Sequence, residues 1–309
     1  MHRALLWRTG GKSVFRPSTH AEKLHYYDIP GRGSLGTVVL LHGASQGAIH
    51  YLRVILALVP HYGRILAIDA PAHGLSSVPD TLSPHILSEA VTELLDDLLE
   101  APAVVFGTSL GGAMALRYGL NRASRVSELC VLSPAGAPLS EGDRRRLLAM
   151  FEMDRHRDAR AFMRQVAHRP SPLSGVIAIE TRRRFRSTPM RQLFNAFATG
   201  QDELSAADIH GLVPPVRLLW GKRERILPPS NLLFFKEHLP IGRRTIIEPA
   251  HFAHAAFLEY PREVANHIVH SGVAAARRED GAYRDTDRSS MSSTPFWRTV
   301  VSSTSSPTG

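Results

Sequence analysis

Short apolar runs recur along the chain, each bounded by turn residues and followed by a stretch whose apolar positions have helical spacing. The runs are "TVVLLH" (37–42), "RILAID" (64–69), "AVVFG" (103–107), "ELCVLS" (128–133), "VRLLWG" (216–221) and "RRTIIE" (243–248). They are apolar on both faces, as strands of a parallel sheet buried under helices must be, rather than alternating as half-exposed strands do. Helices are expected over 48–60, 83–100, 110–121, 230–238 and 261–270. Strand and helix alternate through the first half, so the expected class is α/β, a doubly wound and mostly parallel sheet.

The alternation breaks between 138 and 212. There "RRRLLAMFEM" and "ARAFMRQVAH" place apolar residues at 147, 148 and 151, then at 159, 162, 163 and 166, which is the spacing of one helical face. This segment reads as a helical insertion between two strands, packed on the sheet domain as a lid. Four regions follow from the pattern: an extension over 1–23, a sheet core over 24–137 and 213–271, the helical lid over 138–212, and a Ser/Thr-rich tail over 272–309 expected to be disordered. Within that tail, "PFWRTVV" has the look of a short docking motif.

Composition narrows the class. A chain of 309 residues with 43% hydrophobic positions can bury a full core. No apolar run approaches the roughly 18 to 20 residues of a membrane span. The lone Cys130 cannot form an intrachain disulfide, which fits a reducing compartment and a cytoplasmic location. The formal charge of +9 comes from 37 basic residues, of which only 4 are Lys, and 13 Arg against 6 acids fall within 140–200. An Arg bias spread over solvated helix faces does not imply nucleic acid, so the expected partner is a small-molecule substrate. No Cys/His cluster with metal-ligand spacing occurs, and no cofactor or metal is expected.

The stretch that carries chemistry is "AVVFGTSLGGAMALRYGL" (103–120), where an apolar strand runs through Gly107-Thr108-Ser109-Leu110-Gly111 directly into a helix. A serine at such a turn must take a strained backbone conformation to lift its hydroxyl clear of the sheet, and small residues two before and two after avoid the clash. The helix opening at Leu110 aims free N–H groups at an oxyanion formed on Ser109. In "TVVLLHGASQG" the strand ends in His42-Gly43, and a sharp turn there offers the N–H of Ala44 as a second oxyanion donor.

These motifs resemble the α/β-hydrolase superfamily in its lid-bearing, single-domain form, over residues 24–270. "AIDAPAHGLSS" (67–77) is similar to the family's D-x-P-G-x-G-x-S with Ala72 in place of the first Gly, and "PPVRLLWGKRERILPPS" (214–230) to its P-x-L-x-x-W-G-x-x-D-x-x-x-P. "HAAFLEYPREV" (254–264) is similar to its H-x-x-x-L-E-x-P. The resemblance implies a triad in the order Ser, acid, His, with Ser109 as nucleophile and an acyl-enzyme on the path of a carboxylic ester hydrolase. The family's usual Asp falls on Glu224; a salt bridge to Arg223 or Arg225 is the alternative use of that carboxylate, with Glu141 and Asp143 as the nearest substitutes. Of the two histidines in "AHFAHAAFLEYP", His254 has the spacing to Leu258, Glu259 and Pro261 that the motif requires of the base, and His251 does not. The same fold hosts thioesterases, C–C bond hydrolases, acyltransferases and non-catalytic ligand-binding members. Phe151, Met153, Phe162, Met163, Phe194 and Phe197 are candidates for an apolar acyl pocket.

Overall fold

The computed structural model describes residue 6, residues 9–169 and residues 174–291, with residue 174 and residues 281–291 described in backbone only. Residues 1–5 and the "PFWRTVV" segment lie outside the described residues, so the docking motif is not addressed.

Among the described residues, one sheet of eight strands forms the centre: β1 (Lys12–Arg16), β2 (Leu24–Pro30), β3 (Leu35–Leu41), β4 (Tyr62–Asp69), β5 (Ala103–Thr108), β6 (Val126–Leu132), β7 (Val216–Leu219) and β8 (Arg244–Ile247). Their order is β1-β2-β4-β3-β5-β6-β7-β8. From β4 to β8 all neighbours are parallel, while β1/β2 and β2/β4 are antiparallel. The six apolar runs read from sequence correspond to β3–β8; the central residues of β3 to β6 are buried on both faces, whereas β8, at the sheet edge, is only half-buried. The helices that cover them are α1 (Leu52–Leu58), α2 (Pro84–Leu98), α3 (Leu110–Asn121), and α9 to α11 introduced below. In α2 the hydroxyl of Ser83 caps the N–H of Ile86, Pro84 opens the first turn, and Leu87, Val91, Leu94 and Leu98 recur on the buried face. Each such side chain contributes about 1.5–3 kcal/mol on removal from water.

The strands β1 and β2 had no counterpart among the apolar runs, so the division at residue 24 cuts through the sheet. "KSVFR" is exposed at nearly every position and carries no apolar period. It is a strand because its backbone pairs with β2 from Lys12↔Asp28 to Arg16↔Leu24. Edge pairing leaves no hydrophobic signature.

Among the described residues, five helices stand between β6 and β7: α4 (Glu141–Phe151), α5 (His156–Val166), α6 (Ser174–Phe185), α7 (Thr188–Thr199) and α8 (Ala206–His210). The two stretches read as helical from sequence correspond to α4 and α5. After β7 come α9 (Pro229–His238), the short α10 (Ala256–Glu259) and α11 (Pro261–Met291). Among the described residues no helix is long and apolar enough to cross a membrane, and no group of three or more metal-ligating side chains occurs.

The expected disorder from 272 onward is corrected up to Met291, the last described residue, which is still in α11; residues 292–309 lie outside the described residues. Ser271, Gly272 and Ala275 are buried, and the guanidinium of Arg278 reaches Glu128 on β6 at 2.8 Å. Three consecutive alanines, Ala274 to Ala276, favour helix where the periodic signal fades. Glu128 is itself buried and also meets Arg217 of β7 at 3.4 Å, which in turn bonds the hydroxyl of Ser271. Removing one partner of a buried ion pair leaves charge uncompensated. Arg217→Met is therefore expected to lower the unfolding free energy by about 3 kcal/mol in urea denaturation. The loss at Arg278→Met, whose guanidinium is half in water, should be smaller; equal losses would mean that burial at Glu128 does not set the cost.

Candidate active site

At the end of β5 the backbone of Ser109 takes φ 52 and ψ −119 before entering α3. This is left-handed space that a non-glycine residue occupies only when its surroundings impose it. The surroundings here are backbone. A Cβ on Gly107 would lie 2.2 Å from the carbonyl oxygen of Gly111, and one on Gly111 would lie 2.1 Å from that of Leu41. Below the turn, the buried hydroxyl of Tyr51 lies 3.1 Å from the carbonyl oxygen of Leu41 and 2.7 Å from the hydroxyl of Thr108, tying β3 to the residue before Ser109. The carbonyl of Ser109 accepts N–H bonds from Ala113 and Ala135. Its side chain is left partly exposed and makes no hydrogen bond among the described residues.

Leu110 is the first residue of α3, so its N–H has no intrahelical acceptor. Across from it, the turn after β3 is pressed against the elbow: a Cβ on Gly43 would come within 3.3 Å of Cβ of Ser109. His42 holds this turn from below, with Nδ1 donating to the carbonyl of Gly43 at 2.8 Å and Nε2 accepting from the N–H of Ala70 at 3.1 Å. Burial lowers the His42 pKa, and the neutral ring is the form that can both donate and accept. The N–H of Ala44 has no protein acceptor among the described residues.

Glu224 and His254 come from two loops stitched together. The N–H groups of Lys222 and Arg223 donate to the carbonyls of Pro249 and Phe252, and a Cβ on Gly221 would fall 2.1 Å from the Phe252 carbonyl oxygen. The carboxylate of Glu224 thereby lies 2.8 Å from Nδ1 of His254 through Oε2, while Oε1 accepts the N–H groups of Ile226 at 2.8 Å and Leu227 at 3.1 Å. The extra methylene of Glu is absorbed by this turn. Burial by itself would raise the Glu224 pKa; the charge and hydrogen bond of His254, the adjacent Ser133 hydroxyl and the Ile226 N–H outweigh it and hold the carboxyl below its ordinary range. The arginines beside Glu224 are engaged elsewhere or face solvent, Arg223 bonding His168 and the carbonyl of Ala250. Glu141 and Asp143 sit in the first turn of α4, paired with Arg145 and Arg146.

His251 points the other way. Its Nε2 bonds Glu263 of α11 at 2.8 Å and its ring packs edge-on against Tyr260. Glu259 accepts the N–H groups of His168 and Arg169, and the N–H of Ala255 donates to the carbonyl of Val166, so the loop that carries His254 is fastened to the end of α5.

Ser109 and Ala44 line two cavities. The outer one, about 380 Å³, also contains His254, Phe162, Met163 and Arg184. The inner one, about 80 Å³, is walled by Ala113, Leu147, Leu148, Phe197 and Leu227. Phe151 borders both. Phe194 and Met153 border neither: Phe194 stacks on Phe151 at 4.6 Å and on Phe185 at 5.3 Å, behind the cavity wall. Helical spacing identified the apolar face of the insertion but not which of its rings face inward.

Residues 38–267 match the alpha/beta hydrolase family. The chain belongs to that family. It is 25% identical over 242 residues to a pimeloyl-[acyl-carrier protein] methyl ester esterase of Neisseria meningitidis, covering 74% of this chain and 90% of that one. Among solved structures, a bacterial membrane phospholipase A superposes with a TM-score of 0.77 at 20% identity, covering 89% of each chain. An esterase of Exiguobacterium antarcticum superposes with a TM-score of 0.71 at 17% identity, covering 84% of this chain and 99% of that one. At such identities these structures show the shared fold alone.

This alpha/beta hydrolase also contains a buried hub within "AIDAPAHGLSS", centred on Asp69. Asp69 accepts the N–H groups of Ala48 at 2.6 Å and Leu75 at 3.0 Å and bonds Nδ1 of His25 at 2.7 Å. A Cβ on Gly74 would strike its carboxylate at 2.0 Å. Burial would raise the Asp69 pKa, and these bonds reverse the shift and lower it. In Ala72, which stands at the family's glycine position, φ is 62. Nearby, burial pushes His73 down to about 3, and its Nε2 has no partner among the described residues.

Both Asp69 and Glu224 have depressed folded-state pKa values, so each contributes stability that is present above its unfolded value and is lost as pH falls through its folded one. Acid unfolding followed by circular dichroism is expected to set in below the ordinary Glu value of 4.5. Glu224→Gln should make stability less dependent on pH there; an acid limb as steep as the wild type would show that ionised Glu224 is not stabilised by folding.

Proposed function

We propose that the chain is a serine hydrolase of carboxylic esters, acting through Ser109, His254 and Glu224. The observation that carries the reading is the buried Glu224–His254 pair, whose imidazole shares a cavity wall with a serine raised on a strained turn at a helix N-terminus. With Nδ1–H donated to Glu224, Nε2 is left as the base. It takes the proton of Ser109 as the hydroxyl oxygen attacks the ester carbonyl. The N–H groups of Leu110 and Ala44 receive the oxyanion, and His254 returns the proton to the leaving alcohol. Water, deprotonated by the same ring, then releases the acid. The Neisseria relative, named for cleaving a methyl ester, supports this bond type.

The two cavities suggest how the substrate lies. His254 must reach the leaving oxygen, so the alcohol side belongs in the outer cavity that His254 lines, and the acyl chain in the inner apolar one. The five-helix insertion supplies Leu147, Leu148, Phe151 and Phe197 to these walls, in keeping with a lid.

Steady-state hydrolysis of p-nitrophenyl esters tests the roles. Ser109→Ala and His254→Ala are expected to reduce kcat by 10⁴-fold or more, roughly the loss seen when one member of such a triad is removed, whereas His251→Ala keeps most activity. Glu224→Gln should cost about 10²–10⁴-fold. If His251→Ala were the inactive variant, the assignment of the base would be wrong by three residues. Leu147→Trp, which fills the inner cavity, should cut kcat/KM for long acyl chains by about tenfold or more relative to acetate; a uniform loss across chain lengths would move the acyl group out of that cavity.

A further inference from the structure

A second serine–histidine–carboxylate array, here with Asp as the acid, lies far from Ser109 in the chain, at the antiparallel edge of the sheet. The hydroxyl of Ser13 on β1 is 2.7 Å from Nε2 of His25 on β2, and Nδ1 of that ring is 2.7 Å from Oδ2 of Asp69 at the end of β4. Strand register builds the array, since β1 pairs with β2 and His25 stands directly opposite Asp69. Asp69 is further held by the N–H groups of Ala48 and Leu75, so the carboxylate is fixed and ionised. It therefore accepts the hydrogen bond of the Nδ1–H of His25, which leaves Nε2 as an acceptor for the O–H of Ser13. His25 is fully buried while Ser13 is exposed. The hydroxyl of an exposed edge-strand residue thus rests on an oriented, buried imidazole.

We propose that Ser13 is a second nucleophilic serine, an acyl-acceptor site that takes an acyl group from activated esters such as aryl esters. In the step, Oγ of Ser13 attacks the acyl carbonyl and His25 Nε2 takes its proton. The tetrahedral adduct then collapses with expulsion of the aryloxide, which leaves as the phenol with the proton from His25, and Ser13 carries the ester. Ser13 sits within a strand and not at a helix N-terminus, so it lacks the first-turn N–H groups that face Ser109. Acylation should accordingly be about 10²–10³-fold slower than at Ser109, yet about 10²–10⁴-fold faster than at the serine of a free peptide.

The test uses the full chain carrying Ser109→Ala, which removes the proposed hydrolytic nucleophile and makes the result independent of it. After incubation with p-nitrophenyl acetate, intact mass should show one added acetyl group per chain. It should map to the peptide containing Ser13, be released by hydroxylamine as an ester is, and be missing from the Ser109→Ala/Ser13→Ala protein. Hydroxylamine resistance would place the acetyl on neighbouring Lys12 as an amide and overturn the proposal. So would a Ser13 rate within tenfold of the free peptide, or acetyl spread over several surface residues; either would make the array a strut between strands. Introducing His25→Asn into the Ser109→Ala background, with fold checked by circular dichroism, should bring the rate down to the free-peptide value. If that protein does not fold, the rate ratio to the free peptide decides.

Discussion

The close approach of three backbones at the elbow is the constraint on which the rest of the site depends. Gly107 faces the carbonyl of Gly111, and Gly111 faces that of Leu41, at distances no side chain would allow. Contact at that range lets β3, β5 and the start of α3 converge, and the convergence forces Ser109 into left-handed space. Strain of this kind costs about 1–3 kcal/mol and persists because β3, β5 and β6 are buried on both faces and cannot relax around it. The same convergence presses the turn after β3, at Gly43, against Ser109.

The parallel half of the sheet was legible because its strands must be apolar on both faces, a demand that shows in the sequence whatever the neighbours are. Ser109 was legible for a similar reason: the turn tolerates only small residues at 107 and 111. His254 could be separated from His251 only through its distances to Leu258, Glu259 and Pro261, since composition treats the two alike. The strands β1 and β2 could not be seen, because pairing at an edge demands backbone alone. The continuation of α11 past 271 was hidden for another reason: its anchors are a glycine, an alanine and the distant Glu128. Phe194 lies off the two cavities beside Ser109: helical spacing gives the direction of a face but not of the rings stacked within it.

Three buried carboxylates share one design with different outcomes. Glu128 is met by two arginines and links β6, β7 and α11. Asp69 is met by backbone N–H groups and one imidazole. Glu224 is met in the same way as Asp69. An arginine fixes a carboxylate as a permanent ion pair, whereas an imidazole leaves a second ring nitrogen free to exchange a proton. Partner type therefore separates a purely structural carboxylate from those that can orient a base.

The stitching of Val166, His168 and Arg169 to Ala255 and Glu259 joins the insertion to the loop that holds the imidazole. A second tie runs from the guanidinium of Arg184 on α6 to the carbonyl of Ser45, in the turn after β3. Helices far from the sheet in sequence thus share hydrogen bonds with two opposite borders of the cavity beside Ser109.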